Sequence, residues 1–277
     1  MRRWLTAVVL LLGMAGTGLA AAAPAASAAS TTCRVVDTNR NQSYASLQDA
    51  VNAAAAGDTL LVKGTCTGTT VIGVSLTISG QSASGTKTAT LNGGGQGSVV
   101  TVDSGVTVTI NTLTITGGTG SSGPFGHVGG GIDSGGTVTL NNSTVSGNTV
   151  DGQGGGIATG GALTLNGDTT VSGNTAVVGG GIFNESGTGT RSSPVTMNDN
   201  ATITGNTAGQ EGGGIFNGPD GTVAMTGSAT ITGNTARVDG GGIFNESGTV
   251  TGATATNITG NKPDNCAPPG AVPGCTG

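Results

Sequence analysis

Charged side chains are scarce in this chain of 277 residues. Asp, Glu, Lys and Arg make up 8% of it, and only nine residues are Lys or Arg. A nucleic-acid or anionic lipid surface is bound by clustered basic residues, and here these residues are spread thinly. The composition therefore excludes a nucleic-acid partner.

Histidine and aromatic residues are also rare. The chain has one His, one Trp, one Tyr and four Phe. His127 stands alone in a glycine-rich loop, and the calcium-binding nonapeptide Gly-Gly-x-Gly-x-Asp does not occur. We therefore predict no cofactor and no metal, and we interpret His127 as an incidental loop residue.

Long apolar segments are missing except at the N-terminus. There Arg2 and Arg3 precede a short apolar stretch, and Ala26–Ala28 reads Ala-Ser-Ala. This layout is typical of a secretory signal peptide over residues 1–28, and the stretch is short for a membrane anchor. We expect a secreted chain without a membrane span, and removal of the signal takes the formal charge from −5 to −7.

Glycine, by contrast, is abundant, with 56 residues in a repeated pattern. The motif Gly-Gly-Gly-Ile-Phe-Asn occurs at Gly179–Asn184, Gly212–Asn217 and Gly240–Asn245. A companion Gly-Asn recurs at steps of 26, 32, 28 and 27 residues, with its asparagines at Asn148, Asn174, Asn206, Asn234 and Asn261. Such a period indicates stacked units, none of which buries its apolar face alone.

Each unit contains three short, β-branched segments bounded by turn-forming residues, and three strands per repeat predict a parallel β-helix. Strand alternation places two columns of aliphatic residues inside, and these regular columns argue against disorder. The columns are Ile132, Ile157, Ile182, Ile215 and Ile243, and Val145, Val171, Ile203, Ile231 and Ile258. Each repeated Asn tolerates a left-handed backbone, and we expect its amide to bond to the equivalent Asn one coil away.

Four cysteines in an exported chain suggest two disulfides. Cys33 and Cys66 lie near one end of the sequence, and Cys266 and Cys275 near the other. Because opposite ends of a rod cannot be bridged, we predict the pairs Cys33–Cys66 and Cys266–Cys275. A zinc site is the alternative, but no His lies nearby and the spacings fit no zinc finger.

A helix is predicted between the first two cysteines, because Ser46–Asp49 forms a capping box and Gly57 ends the apolar pattern. The segment leads into Thr59–Val62, and the whole resembles the N-terminal cap of pectin-lyase-like right-handed parallel β-helices. The resemblance implies that the helix plugs the open end of the core. We predict a cap at 29–72, coils at 73–261 and a disulfide tail at 262–277.

The glycine-isoleucine repeats over Gly129–Asn261 resemble the Gly-Gly-Ala-Ile repeats of polymorphic outer-membrane proteins, a family of autotransported adhesins. One departure is that each repeat Phe is followed directly by Asn, so the Phe-x-x-Asn companion of that family is absent. The resemblance implies a surface or adhesion-type protein. A second departure is that Lys262–Gly277 reads as a Pro- and Gly-rich tail and not as a membrane barrel or a cell-wall sorting signal, so we expect a product that is secreted freely or loosely associated with the cell wall.

Four acidic residues are candidates for catalysis. Glu211 and Asp239 precede the glycine run in adjacent coils, and Glu185 and Glu246 are equivalent residues two coils apart. Carboxylates about 5 Å apart suit a retaining glycosidase and about 9 Å an inverting one. Against this, acidic residues in turns are commonly solvated, and Arg237 is the one basic residue beside them. A polysaccharide lyase or glycoside hydrolase is therefore the alternative function.

Phe183, Phe216 and Phe244 occupy the same repeat position. They either point outward as an aromatic ladder or fold into a corner of the core, and the pattern favours neither. As an outward ladder they are the candidate binding residues. We therefore predict a monomeric, non-catalytic binding protein whose partner is a polysaccharide or an extracellular protein.

Overall fold

A computed structural model describes residues 32–81, 89–123, 126–185 and 193–276. The predicted signal peptide, residues 1–28, lies outside these ranges. Within them no helix has the length and apolar character needed to cross a membrane.

The described chain is a parallel β-solenoid of about six turns, in which each turn contributes one strand to each of three sheets. Sheet 1 contains, in spatial order, Gln42–Tyr44, Arg34–Asp37, Thr59–Lys63, Leu76–Gly80, Thr107–Asn111, Thr137–Asn141, Leu163–Asn166, Pro194–Met197, Thr222–Met225 and Thr249–Thr251. Sheet 2 contains Thr65–Thr67, Ala89–Asn92, Leu113–Thr116, Thr144–Ser146, Thr170–Ser172, Thr202–Thr204, Thr230–Thr232 and Ile258–Thr259. Sheet 3 contains Thr70–Ile72, Val100–Val102, Ile132–Ser134, Ile157–Thr159, Ile182–Asn184, Ile215–Asn217, Ile243–Asn245 and Cys266–Ala267. The predicted all-β solenoid with three strands per coil is confirmed.

Two smaller groups of strands flank these sheets. Three short strands form a parallel sheet after sheet 2, at Thr175–Ala176, Thr207–Ala208 and Thr235–Ala236. An antiparallel hairpin, Ser121–Gly123 with Gly126–Val128, precedes the first of the glycine runs.

The core is built from the aliphatic columns that strand alternation predicts. Ile182, Ile215 and Ile243 pair in register on successive strands of sheet 3, and all three are fully buried. Val171 and Ile203 do the same on sheet 2. Each fully buried aliphatic side chain contributes about 1.5–3 kcal/mol, so these columns are the main apolar support of the rod.

A buried column of asparagines runs beside this core, and Asn206 shows its bonding. Its side-chain Nδ2 donates to the Asn234 Oδ1 at 2.9 Å and to the Val171 carbonyl at 2.9 Å. Its Oδ1 accepts from the backbone N–H and the Nδ2 of Asn174, at 3.0 and 2.9 Å. The amide therefore uses all its hydrogen-bonding capacity. The same pattern links Asn148, Asn174, Asn206, Asn234 and Asn261, so the predicted bonds between coils are confirmed.

The tolerance of asparagine for a left-handed backbone is not used in these pairs. The left-handed residue of each Gly-Asn pair is the glycine, with φ of 64° at Gly205 and 65° at Gly233. Since glycine takes this conformation without the steric cost of a Cβ atom, the asparagine side chain is left free to enter the column.

A second asparagine column lies in sheet 3 and is formed by the last residue of each Ile-Phe-Asn motif. The Asn184 Nδ2 donates to the Asn217 Oδ1 at 2.7 Å, and Asn217 donates likewise to Asn245. The column starts at Asn184, because Thr159 holds this place in the coil before. The Asn184 Oδ1 is consequently buried without a hydrogen-bond partner.

The two ends of the solenoid carry the predicted disulfides, Cys33–Cys66 and Cys266–Cys275. At the N-terminal end a helix spans Leu47–Ala53 and begins at Ser46, whose Oγ accepts the Asp49 N–H at 3.1 Å. The helix ends before Gly57, earlier than predicted. Its buried residues Leu47, Ala50 and Val51 join the core. That it plugs the open end of the core stays a prediction.

We predict that Asn206→Asp strongly destabilises the solenoid. The new carboxylate oxygen would replace an N–H donor and face two acceptor oxygens in a buried site, where an uncompensated charge is costly. A loss of about 3–5 kcal/mol in the free energy of unfolding is expected, by analogy with broken buried pairs.

The measurement is equilibrium denaturation at neutral pH. Asn52→Asp is the matched control, because Asn52 is exposed and its side-chain oxygen already acts as an acceptor, from Gln48. Equal stability of the two variants would show that the column is not a determinant of stability.

Candidate functional site

The candidate site is the outward face of sheet 3, where the residue after each core isoleucine points away from the core. We call this surface the ladder face and define it by five residues that pair in register: Asp133, Ala158, Phe183, Phe216 and Phe244. Phe183 and Phe216 stack with ring centroids 5.1 Å apart, and Phe216 and Phe244 with centroids 5.4 Å apart. The ring planes differ by only 14° and 10°, so the rings lie face to face along the rod.

The stack is outside the main core and yet largely buried. Phe183 is 6% exposed and Phe216 9% exposed, while Phe244 is half-buried. With Ala158 the rings form a separate apolar cluster, and Val128 and Val178 pack against it. The rings therefore point outward from the main core, as strand alternation requires. Phe183 and Phe216 are nevertheless buried by their neighbours and do not form an exposed stripe. Phe244 offers the largest ring surface to solvent.

Carboxylates lie on both sides of the stack. Glu211 and Asp239 lie just before the glycine runs of their coils, in the place that Val178 takes one coil earlier. Their backbones form a β-bridge between adjacent coils, so the two residues are neighbours, as predicted. Burial raises the pKa of the Glu211 carboxyl, and the charges of Asp239 and Glu246 raise it further. Glu185 and Glu246 follow the asparagines on the other side of the ladder face, two coils apart, with Gly218 between them.

A cleft of about 120 Å³ opens where the ladder stops. Ala158 occupies the rung on which a further Phe would continue the stack, so the cleft lies between Phe183 and Asp133. Glu185 and Gln153 also line it. Burial raises the pKa of Asp133, a hydrogen bond from Ser121 opposes the rise, and the charge of Glu185 adds to it.

Asp133 was missed as a site residue in the sequence analysis. The signal was present, since Asp133 follows Gly129–Ile132 in the place that Phe takes in the later motifs. Because Asp replaces Phe at this place, the repeat is incomplete there, and the recurrence of Phe alone does not identify Asp133.

The chemistry of this surface is acidic and aromatic. Among the described residues, no Lys or Arg forms an ion pair with Asp133, Glu185, Glu211, Asp239 or Glu246. In the same ranges no group of three or more His, Cys, Asp and Glu residues is arranged to hold a metal ion. The surface therefore suits ligands with apolar faces, hydrogen-bond donors or positive charge.

His127 lies in the hairpin before the first glycine run and is not one of the ladder residues. Its Nδ1 lies 2.6 Å from the Asp151 Oδ1, and both side chains are exposed. The hydrogen bond from His127 lowers the pKa of Asp151.

We predict that Phe216→Ala destabilises the protein more than Phe244→Ala. Phe216 is the middle ring and loses contacts on both faces, and removal of a buried Phe costs about 3–5 kcal/mol. Phe244 is half-buried and stacks on Phe216 alone among the described rings. Urea denaturation of both variants measures the difference, and equal losses would contradict the idea that stacking supports this face.

A second prediction concerns the pH dependence of Glu211. Because its pKa is raised in the folded state, the folded protein holds this proton more tightly than the unfolded chain does, and ionisation costs stability as pH rises. Glu211→Gln should therefore raise the melting temperature at about pH 7 and leave it unchanged at about pH 3, where carboxyls are neutral. A lower melting temperature of the variant at neutral pH would contradict this, because it would show that the folded protein favours the ionised form of Glu211.

Comparison with known protein families identifies a matching repeat. The family model of the Chlamydia polymorphic membrane protein repeat matches residues 228–246, which include the Thr230–Thr232 strand and end just after Phe244. No curated protein and no solved structure matches the chain. The likeness to pectin-lyase-like proteins stays a prediction. The predicted resemblance to polymorphic membrane protein repeats is confirmed, and such a repeat on a β-solenoid fits a bacterial surface or adhesin-type protein.

Proposed function

We propose that this protein is a secreted, adhesion-type binding protein without catalytic activity, which holds an extracellular polysaccharide or protein on its ladder face. One observation carries the proposal: a stack of three rings lies between carboxylates that have no basic partner among the described residues. Aromatic anchors within a polar rim are the usual anatomy of a binding surface.

The rest of the rod contrasts with this face. The outward residues of sheet 2 are half-buried threonines and serines, as in Thr170–Ser172, Thr202–Thr204 and Thr230–Thr232. Those side chains suit an exposed strand and provide no anchor, whereas the ladder face brings apolar area and charge together. A ligand is therefore expected on sheet 3.

A polysaccharide-degrading enzyme is the second candidate, favoured by one feature of the cleft. Asp133 has a raised pKa, as a general acid requires, and Glu185 lines the same cleft. Their backbones lie two rungs apart along the rod, or about 9–10 Å at the usual strand spacing, and both side chains reach the cleft between them. The predicted catalytic set of Glu185, Glu211, Asp239 and Glu246 does not include this acid.

The test is a glycan and extracellular-matrix array on the mature protein, run beside an assay for reducing-sugar release from plant and microbial polysaccharides. We expect binding and no release. Phe244→Ala should weaken binding by more than about 2 kcal/mol, the usual cost of truncating an aromatic hot spot. Because Phe244 is half-buried, this variant removes an anchor with less harm to packing than the triple change of Phe183, Phe216 and Phe244 to Ala.

The comparison variant changes Glu185, Glu211 and Asp239 together to Ala. Melting curves on every variant separate lost binding from lost folding. Sugar release that disappears only in the acidic variant, or in Asp133→Asn, would overturn the binding proposal and establish the enzyme.

A further inference from the structure

The cleft beside Phe183 has one aromatic wall. One face of the Phe183 ring stacks on Phe216, and the ring also packs against Ala158, whose methyl group leaves the next place in the stack empty. The resulting cleft of about 120 Å³ is several times larger than the roughly 10–15 Å³ that one water molecule needs, so it has room for a ligand group of the order of a single sugar unit.

The opposite side of the cleft is negatively charged. Asp133 and Glu185 both line it, and neither forms an ion pair with a Lys or Arg of the described ranges. The two carboxylates repel each other, and this repulsion contributes to the raised pKa of Asp133. A cation between them would relieve the repulsion and complement the charge of the cleft.

A neutral hydrogen-bonding group also lines the cleft. Gln153 supplies a side-chain amide, which can donate to and accept from the hydroxyl groups of a ligand. The Thr159 hydroxyl is turned away, because it is buried in the place of the second asparagine column and is bonded to the backbone of Gly161.

We infer that the cleft over Ala158 is a subsite for a protonated amino-sugar unit of a polysaccharide. The apolar face of the sugar ring lies on Phe183, the ammonium group lies between Asp133 and Glu185, and a ring hydroxyl bonds to Gln153. The inference rests on the proposed function, because it names the class of ligand that this face binds.

Other ligands use fewer of these groups. A neutral sugar leaves both carboxylates without a counter-charge. A lysine side chain supplies the charge but has no hydroxyl for Gln153 and no sugar ring for Phe183. An amino sugar has all three features on one residue.

The experiment titrates the mature protein with a chitosan tetramer and with its fully N-acetylated counterpart, a chitin tetramer, by calorimetry at about pH 6, where amines and most carboxylates are charged. We expect the chitosan tetramer to bind at least tenfold more tightly. Asp133→Asn and Glu185→Gln should each weaken its binding by about tenfold or more, the loss of one charge-assisted hydrogen bond. Ala158→Phe should abolish binding, since the added ring fills the cleft.

Asp168→Asn is the control for charge. Asp168 is exposed in the turn between sheets 1 and 2, and the variant keeps the side-chain oxygen that accepts from Asn200 at 3.0 Å. Its chitosan affinity should equal that of the wild type. If Ala158→Phe fails to fold, the two isosteric acid variants still test the site.

Three results would overturn the inference. Equal affinity for the two tetramers would identify a neutral-sugar site and leave the proposed binding function intact. Chitosan binding that survives all the cleft variants would place the ligand elsewhere, and a lysine-rich peptide that binds as tightly as chitosan would indicate a protein partner. The proposed function itself fails separately, if Phe244→Ala leaves every interaction on the array unchanged.

Discussion

The buried asparagine column is the interaction on which the glycine-rich coils from Asn148 to Asn261, and with them the ladder face, depend. An unpaired amide in the interior costs about 1–3 kcal/mol, so each asparagine requires a correctly placed asparagine in the coil beyond it. The isoleucine columns stabilise the coils by burial, but they would allow one coil to slide along the next, because apolar contacts have little directional preference. The asparagine amides do not allow such sliding, since each donor must lie within hydrogen-bond distance of its acceptor. The column therefore fixes how each coil from Asn148 to Asn261 sits on the next.

This constraint explains how unequal repeats give a regular rod. The Gly-Asn steps vary from 26 to 32 residues, yet every asparagine of the column meets its neighbour at about the same distance. Extra residues are absorbed between the strands, where no column is interrupted. With the coils in phase, the phenylalanines of successive motifs come into contact and stack, and the carboxylates beside them meet in the same way.

Much of this architecture could be predicted from the sequence. The repeat placed Ile182, Ile215 and Ile243 in one column and Glu211 beside Asp239, because both follow from period and alternation alone. Burial of Phe183 and Phe216 did not follow, since it depends on Val128 and Val178, which belong to a different part of the repeat. The cleft was also beyond reach, because it results from an alanine and an aspartate that interrupt the motif. The repeat pattern predicts the residues that recur in every coil, whereas the cleft is formed where Asp133 and Ala158 depart from that pattern.

Ala158 shows what that exception means for the evolution of the rod. The folding information lies in the asparagine and isoleucine columns, while the outward place on sheet 3 accepts Asp, Ala or Phe in coils of otherwise similar form. A single exchange between neighbouring repeats would therefore shift the cleft by one rung, and duplication of a Phe-containing coil would lengthen the stack without disturbing it. Recognition can thus change by small genetic steps while the scaffold stays the same.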